Sequence, residues 1–202
     1  NCQKNSRTPQ LRNWKMKQII RIARTELQLL FYSPIAWLIL IVFTIQASVV
    51  FTIALEGLVN VKELGYKLNG ITLSLYTDPW RGFYAMLLEH LYFYIPLLTM
   101  GMMSRELSSG SIRLLYSSPI SDGQLIFGKF MSIAAYALLM TGIVFIFTAY
   151  GAFVVDNFDF AATLPGLLGI FLLICAYGSE GLFMSSLTSY QVVAAMGTVA
   201  VF

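Results

Sequence analysis

Three ionisable side chains stand inside otherwise apolar stretches of this sequence: the adjacent Glu89 and His90, and Glu180. A carboxylate and an imidazole carried on membrane helices suit a proton relay or a substrate pathway. An ionised group at mid-bilayer costs about 2.5–3.5 kcal/mol on insertion scales and is normally turned toward a protein interior. The plainer alternative is a residue at interface depth, hydrogen-bonded to a neighbouring helix, and for Glu180 direct access to water near the end of its stretch. A second candidate is Gly123-Gln-Leu-Ile-Phe-Gly128-Lys129, which follows the phosphate-loop pattern until its last position. There Phe130 replaces the Ser or Thr that would hold Mg²⁺. That pattern also needs a preceding strand, whereas this stretch opens an apolar helix. Nucleotide binding is therefore not expected, and Lys129 is expected to anchor its helix at the headgroups. With one His and no Cys cluster, no metal-ligand spacing exists, and no nucleophile stands beside a base.

The elements that must hold these residues are set by composition. Of 202 residues, 57% are hydrophobic and 11% charged, and the mean hydropathy is +0.72. Soluble domains carry about 25% charged residues, so a soluble enzyme, a nucleic-acid module and a disordered tail are all excluded. The net charge of +3 is too small to argue for nucleic acid. Cys2 and Cys175 form no disulfide framework.

The fold class expected is all-α, a polytopic helix bundle in lipid. A span needs about 20 mostly apolar residues, and residues 35–55, 83–103, 131–155 and 160–179 qualify, apolar character resuming after Glu180 as far as Leu187. A fifth span starts near Gln191 and is still running at Phe202, so it is expected to be cut short. Residues 1–15 read as a polar leader or as sequence upstream of a true start at Met16, and no signal peptide is expected before Met16. The membrane domain proper is then 16–202. With the N-terminus inside, ten of the 13 Lys and Arg fall on the inner side, and only Lys62, Lys67 and Arg81 fall outside. Positive-inside asymmetry therefore predicts a cytoplasmic N-terminus.

Between the spans, Met16 to Phe31 has Ile19, Ile22, Ala23, Leu27 and Leu30 on one face and Lys17, Arg21, Arg24 and Gln28 on the other. This predicts an amphipathic helix in the headgroup plane, broken at Ser33-Pro34, where a cap and an N1 proline restart the chain as the first span. The competing arrangement is one longer, snorkelling first span. In the outer loop, Asp78-Pro79 marks a turn, and Leu58, Val61, Leu64 and Leu68 could line a surface helix. Residues 104–129 form the long inner loop. Gly110 can end the second membrane helix, and Ser111 can cap a short helix from Ile112 to Tyr116 that Pro119 closes. Ser121 with Gln124 makes a capping box for the third span. The short apolar helix would either dock a cytoplasmic partner or dip back into the interface.

Glu106-Leu-Ser-Ser-Gly110-Ser111-Ile-Arg-Leu-Leu115, then Ser118-Pro-Ile-Ser121 and Gly128-Lys129-Phe130, resembles the first cytoplasmic loop of type 2 ABC transporter permeases. Gly181-Leu-Phe-Met-Ser-Ser-Leu-Thr188-Ser-Tyr-Gln191 is similar to their turn between the fourth and fifth helices. The likeness is nearest to the gliding-motility and nitrous-oxide-reductase-maturation permeases. Ser111 departs from the family's usual Thr but keeps the hydroxyl, and the family usually has six helices. The resemblance implies an in-plane elbow at 16–31 and an ATPase-coupling segment of Arg105, Glu106, Gly110, Ser111, Ile112, Arg113, Leu114, Leu115, Tyr116 and Pro119. It also implies a separate cytoplasmic ATPase subunit carrying ATP and Mg, a second permease subunit completing the pathway, and residence in a bacterial inner membrane. On this reading the chain binds no cofactor and catalyses nothing. Two alternatives stand beside it: a proton- or ion-coupled carrier using Glu89, His90 and Glu180, and a non-transporting anchor for an extracytoplasmic machine.

Overall fold

A computed structural model describes residues 7–63, 75–78, 82–111, 121–154 and 158–201. All elements among them are helices: α1 (Arg7–Tyr32), α2 (Pro34–Glu63), α3 (Phe83–Thr99), α4 (Ser104–Ser109), α5 (Asp122–Val154), α6 (Phe160–Leu187) and α7 (Gln191–Val201). Four of them are long and apolar enough to cross a bilayer. Helices α2, α3, α6 and α5 close a ring, each packed on the next, with α1 leaning on α5 and α2 and α7 lying against α3 and α6. The result is a polytopic all-α bundle, as the composition requires.

The break between α1 and α2 falls at Ser33, whose N–H bonds the Leu30 carbonyl at 3.1 Å. Proline follows at the first position of α2, where its missing N–H and fixed φ cost nothing. The Trp37 indole donates to the Phe31 carbonyl at 2.9 Å and its ring meets Phe31 edge-on at 5.5 Å. One orphan carbonyl at the end of α1 is thereby satisfied. Helix α1 begins at Arg7, nine residues before the amphipathic stretch, so the polar leader is helical from there. Helix α2 runs to Glu63. Leu58 and Val61, expected on a separate surface helix, thus belong to its backbone, because no helix breaker separates them from the apolar run. Leu64, Leu68 and Pro79 lie outside the described residues.

Each helix buries one stripe at three- and four-residue steps. On α6 it is Thr163, Leu167, Ile170, Ile174, Gly178, Gly181 and Ser185. A Cβ on Gly181 would overlap the Thr99 hydroxyl of α3, and one on Gly178 would come within 2.5 Å of the Ile133 side chain of α5. In lipid, where no hydrophobic drive joins helices, this close backbone approach is the main source of packing. The large outward residues (Leu38, Ile41, Ile45, Leu168, Leu172) face where lipid would be.

The end of the ring away from α4 is closed by aromatic side chains. Tyr76 is fully buried among Phe51, Phe83, Tyr84 and Phe158. Its hydroxyl bonds the Phe147 carbonyl at 3.3 Å, and Gly151 leaves the room that this hydroxyl occupies. Burial pushes the Tyr76 phenol well above its ordinary pKa, so it remains a neutral donor. The Tyr84 hydroxyl meets Thr148 at 3.0 Å, joining α3 to α5.

Gly181→Leu is expected to force α3 and α6 apart and cost about 1–3 kcal/mol, read as a lowered thermal midpoint in detergent. Gly169→Ala, where a Cβ meets nothing within 4 Å, is expected to leave the midpoint unchanged or raise it. Equal midpoints for the two variants would contradict the packing described.

Candidate functional site at the loop end of the bundle

Lys129 occupies the seam register of α5, in step with Leu125, Ser132, Ile133 and Tyr136, all of them buried. Its preceding residue, Gly128, lets α1 approach: a Cβ there would stand 2.6 Å from Ile22 Cγ2. The Lys129 ammonium is therefore sealed under α1, with 0% of its side chain exposed. It donates to Glu26 Oε1 of α1 at 2.6 Å, to Glu106 Oε1 of α4 at 2.7 Å, and to the Met102 carbonyl at 2.8 Å. An ammonium has three protons and no acceptor, so Lys129 is saturated. The Glu26 and Glu106 side chains are 14% and 20% exposed.

The expected headgroup anchor is thus a buried ion cluster, because Lys129 lies on the face of α5 turned toward α1 and α4, with no route along which to snorkel. The two residues that completed the phosphate-loop look-alike, Gly128 and Lys129, both serve to dock α1. Removing one partner from such a cluster costs about 3–5 kcal/mol, whereas replacing a whole buried cluster by apolar residues can be neutral.

The second membrane helix does not run unbroken to Gly110. Pro96 sits in α3, the helix gives way to turns at 100–103, and the chain resumes as α4. Ser185 of α6 bridges the break: its hydroxyl accepts from the N–H groups of Met103 and Ser104, both at 3.1 Å, and donates to the Met100 carbonyl at 2.9 Å. Gly110 then ends α4 at φ 71°, a left-handed cap that glycine adopts without steric cost. The Gly110 expectation is corrected accordingly: it caps the short α4, because the longer helix has already broken at 100–103. Across the loop, Ser121 N–H bonds Gln124 Oε1 at 3.1 Å, half of the expected capping box. Helix α5 starts at Asp122, nine residues before the span predicted from charge-free hydropathy.

Of the ten loop residues singled out, Glu106 reaches Lys129, while Arg105 is exposed with its guanidinium folded over Gly101. Gly110 and Ser111 close α4, where the Ser109 and Ser111 hydroxyls are 2.9 Å apart. Ile112, Arg113, Leu114, Leu115, Tyr116 and Pro119 lie outside the described residues.

Glu89, His90 and Glu180 are all on the outer surface of the ring. His90 Nδ1 is 3.0 Å from the Met86 carbonyl one turn back on its own helix. Glu89 and His90 line an open groove of about 600 Å³ with Tyr92, Phe93, Tyr177 and Val199. Glu180 stands one turn further along α6, outside that groove. Among the described residues no three His, Cys, Asp or Glu side chains come together.

The sequence reading missed Glu26, Ser185 and Gln46, whose amide oxygen accepts a short hydrogen bond from Tyr94 inside the bundle. Glu26 gave one signal: it interrupts the apolar register of Ile19, Ile22 and Leu30 on an otherwise well-segregated helix.

The family model described as "ABC-2 family transporter protein" matches residues 20–202. Neither the curated proteins nor the solved structures return a match. The match covers nearly the whole of the described bundle, from within α1 to the end of α7, and includes the loop end with its buried lysine. The chain belongs to the ABC-2 transporter family and is a multi-pass membrane transport component.

Proposed function

We propose that this chain is the permease half of an ATP-driven transporter. Its N-terminus and its 104–129 segment face the cytoplasm of a bacterial inner membrane. That segment seats on a separate ABC ATPase subunit, which holds ATP and Mg, and a second permease subunit completes the pathway. Within the family, the Glu106–Leu115 and Gly181–Gln191 motifs favour kinship with the gliding-motility and nitrous-oxide-reductase-maturation permeases. The observation that carries the reading is the family match together with the bracing of the described part of the loop. Ser185 ties the start of α4 to α6, Lys129 ties Glu106 to α5, and the Gly110 cap closes α4 on its own Leu107 carbonyl. A loop tied in this way can pass a displacement into the bundle, whereas a free loop would absorb it. The driving free energy comes from differential contact with two states of the ATPase; the chain itself hydrolyses nothing.

Affinity purification of the full-length protein from detergent is expected to bring down an ABC ATPase. Leu115→Asp and Arg113→Glu are expected to insert normally and lose that ATPase. Undiminished co-purification with both variants, or no ATPase with the wild type, overturns the coupling assignment.

The carrier alternative makes a separate claim. Proteoliposomes of the chain alone, loaded with a pH-sensitive dye, are expected to dissipate an imposed pH gradient no faster than protein-free vesicles. A proton flux that Glu89→Gln abolishes would establish the carrier reading instead.

A further inference from the structure

Helices α1 and α4 are separated by a cleft of about 170 Å³. Glu26, Leu29 and Leu30 form one wall, and Gly101, Met102, Arg105 and Glu106 form the other. Neither helix packs extensively on the other; α1 rests on α5, and α4 rests on α6 and α7. What joins them is Lys129, reaching both carboxylates from α5 at 2.6 and 2.7 Å while wholly buried. We propose that Lys129 is a positioning residue that fastens the amphipathic helix α1 to the α4 segment, so that α1 shifts with the loop as one body.

The physical argument is one of valence. All three ammonium protons are engaged, on α1, on α4 and on the turn between α3 and α4. Movement of α4 away from Lys129 leaves a buried proton unpaired, and so does movement of α1. The lowest-energy displacement keeps both carboxylates on the ammonium, and the two helices then travel together. An apolar contact would hold the same elements nearby but would let them slide, since dispersion has no preferred partner atom. Gly128 matters to this arrangement because it brings α1 close enough for Glu26 to reach.

The role of this linkage in transport rests on the permease reading above, but its test does not. Hydrogen exchange would be followed on the full-length protein in lipid nanodiscs, over 16–32 and 104–111. Glu106→Gln, a change on α4, is expected to speed exchange in α1. Glu26→Gln, a change on α1, is expected to speed exchange in 104–111. Each cross-effect should be roughly tenfold, the scale of one charge-assisted hydrogen bond. A combined Glu26→Leu, Lys129→Met, Glu106→Leu variant keeps the buried volume without the charges. It is expected to stay folded, and adding Gly110→Ala to it to loosen α4 should no longer affect α1. In the wild-type background the same Gly110→Ala change should speed exchange in α1. Effects confined to the segment that carries each substitution would overturn the proposal. So would transmission of the Gly110→Ala effect to α1 in the charge-free variant. Since no ATPase is present, these outcomes stand apart from those of the co-purification experiment.

Discussion

A primary ammonium removed from water has to find three acceptors, and at Lys129 they come from three separate parts of the chain. That requirement organises the loop end of the molecule. It sets how far α1 can rotate on α5, because Glu26 must point inward. It sets where α4 begins, because Glu106 must lie one turn along from the Met102 carbonyl. It also accounts for the helix break at 100–103, which exposes that carbonyl to a lysine instead of to the helix's own N–H groups. Ser185 completes the break from the other side by satisfying Met103 and Ser104. Backbone groups freed inside a membrane protein are tolerated only when side chains take them up, and here one serine and one lysine do so.

The two ends of the ring are built on different physics. The end around Tyr76 is closed by edge-on and tilted aromatic rings and by hydroxyl-to-carbonyl bonds from Tyr76 and Tyr84. Ring pairs of this kind contribute about 0.5–1.5 kcal/mol each beyond burial and accept small changes of angle. The loop end is held by few but directional contacts, whose geometry allows one arrangement. A bundle pinned sharply at one end and packed more permissively at the other is suited to take a displacement at the pinned end and tilt about its contents. Tyr136, whose hydroxyl bonds the Ala36 carbonyl at 2.8 Å, carries the pinning from α5 onto the start of α2.

Most of the architecture was legible because hydropathy and helix punctuation are local signals. Long apolar runs located four spans, Ser33-Pro34 located the corner, and the Thr188–Tyr190 turn separates α6 from α7 where the second motif suggested. The capping pair Ser121 and Gln124 located the start of α5 at Asp122, whereas the apolar run alone placed its span from Met131, because Lys129 was taken as the polar edge of that run although it lies inside the helix. The same residue shows why the candidate site was only half visible. Glu26, Glu106 and Lys129 are 80 and 23 residues apart in sequence order, and no local rule pairs them. Their registers did carry information: Glu26 and Lys129 each fall on the apolar stripe of their own helix, which is where a charge needs a partner. Residue type drew attention to Glu89 and His90 instead, which the fold turns outward.

That outward placement bears on how such a chain could move a substrate. The described interior of the ring is filled by Ile39, Phe43, Leu87, Leu91, Ile133, Tyr136 and Met140, all essentially without exposure. Close-packed side chains of this kind leave no continuous path through the described part of the ring. A pathway along an outer face, completed by a second subunit, is the arrangement proposed above. The surface between α3, α6 and α7 sets Glu89 and His90 among Tyr92, Phe93 and Val199, a polar stretch beside apolar neighbours. A carrier working alone would need those groups to face its own interior, where they could be screened and relayed. A half-transporter needs them on the side that meets its mate. The geometry is therefore easier to reconcile with the permease reading than with the carrier, for a reason independent of the loop.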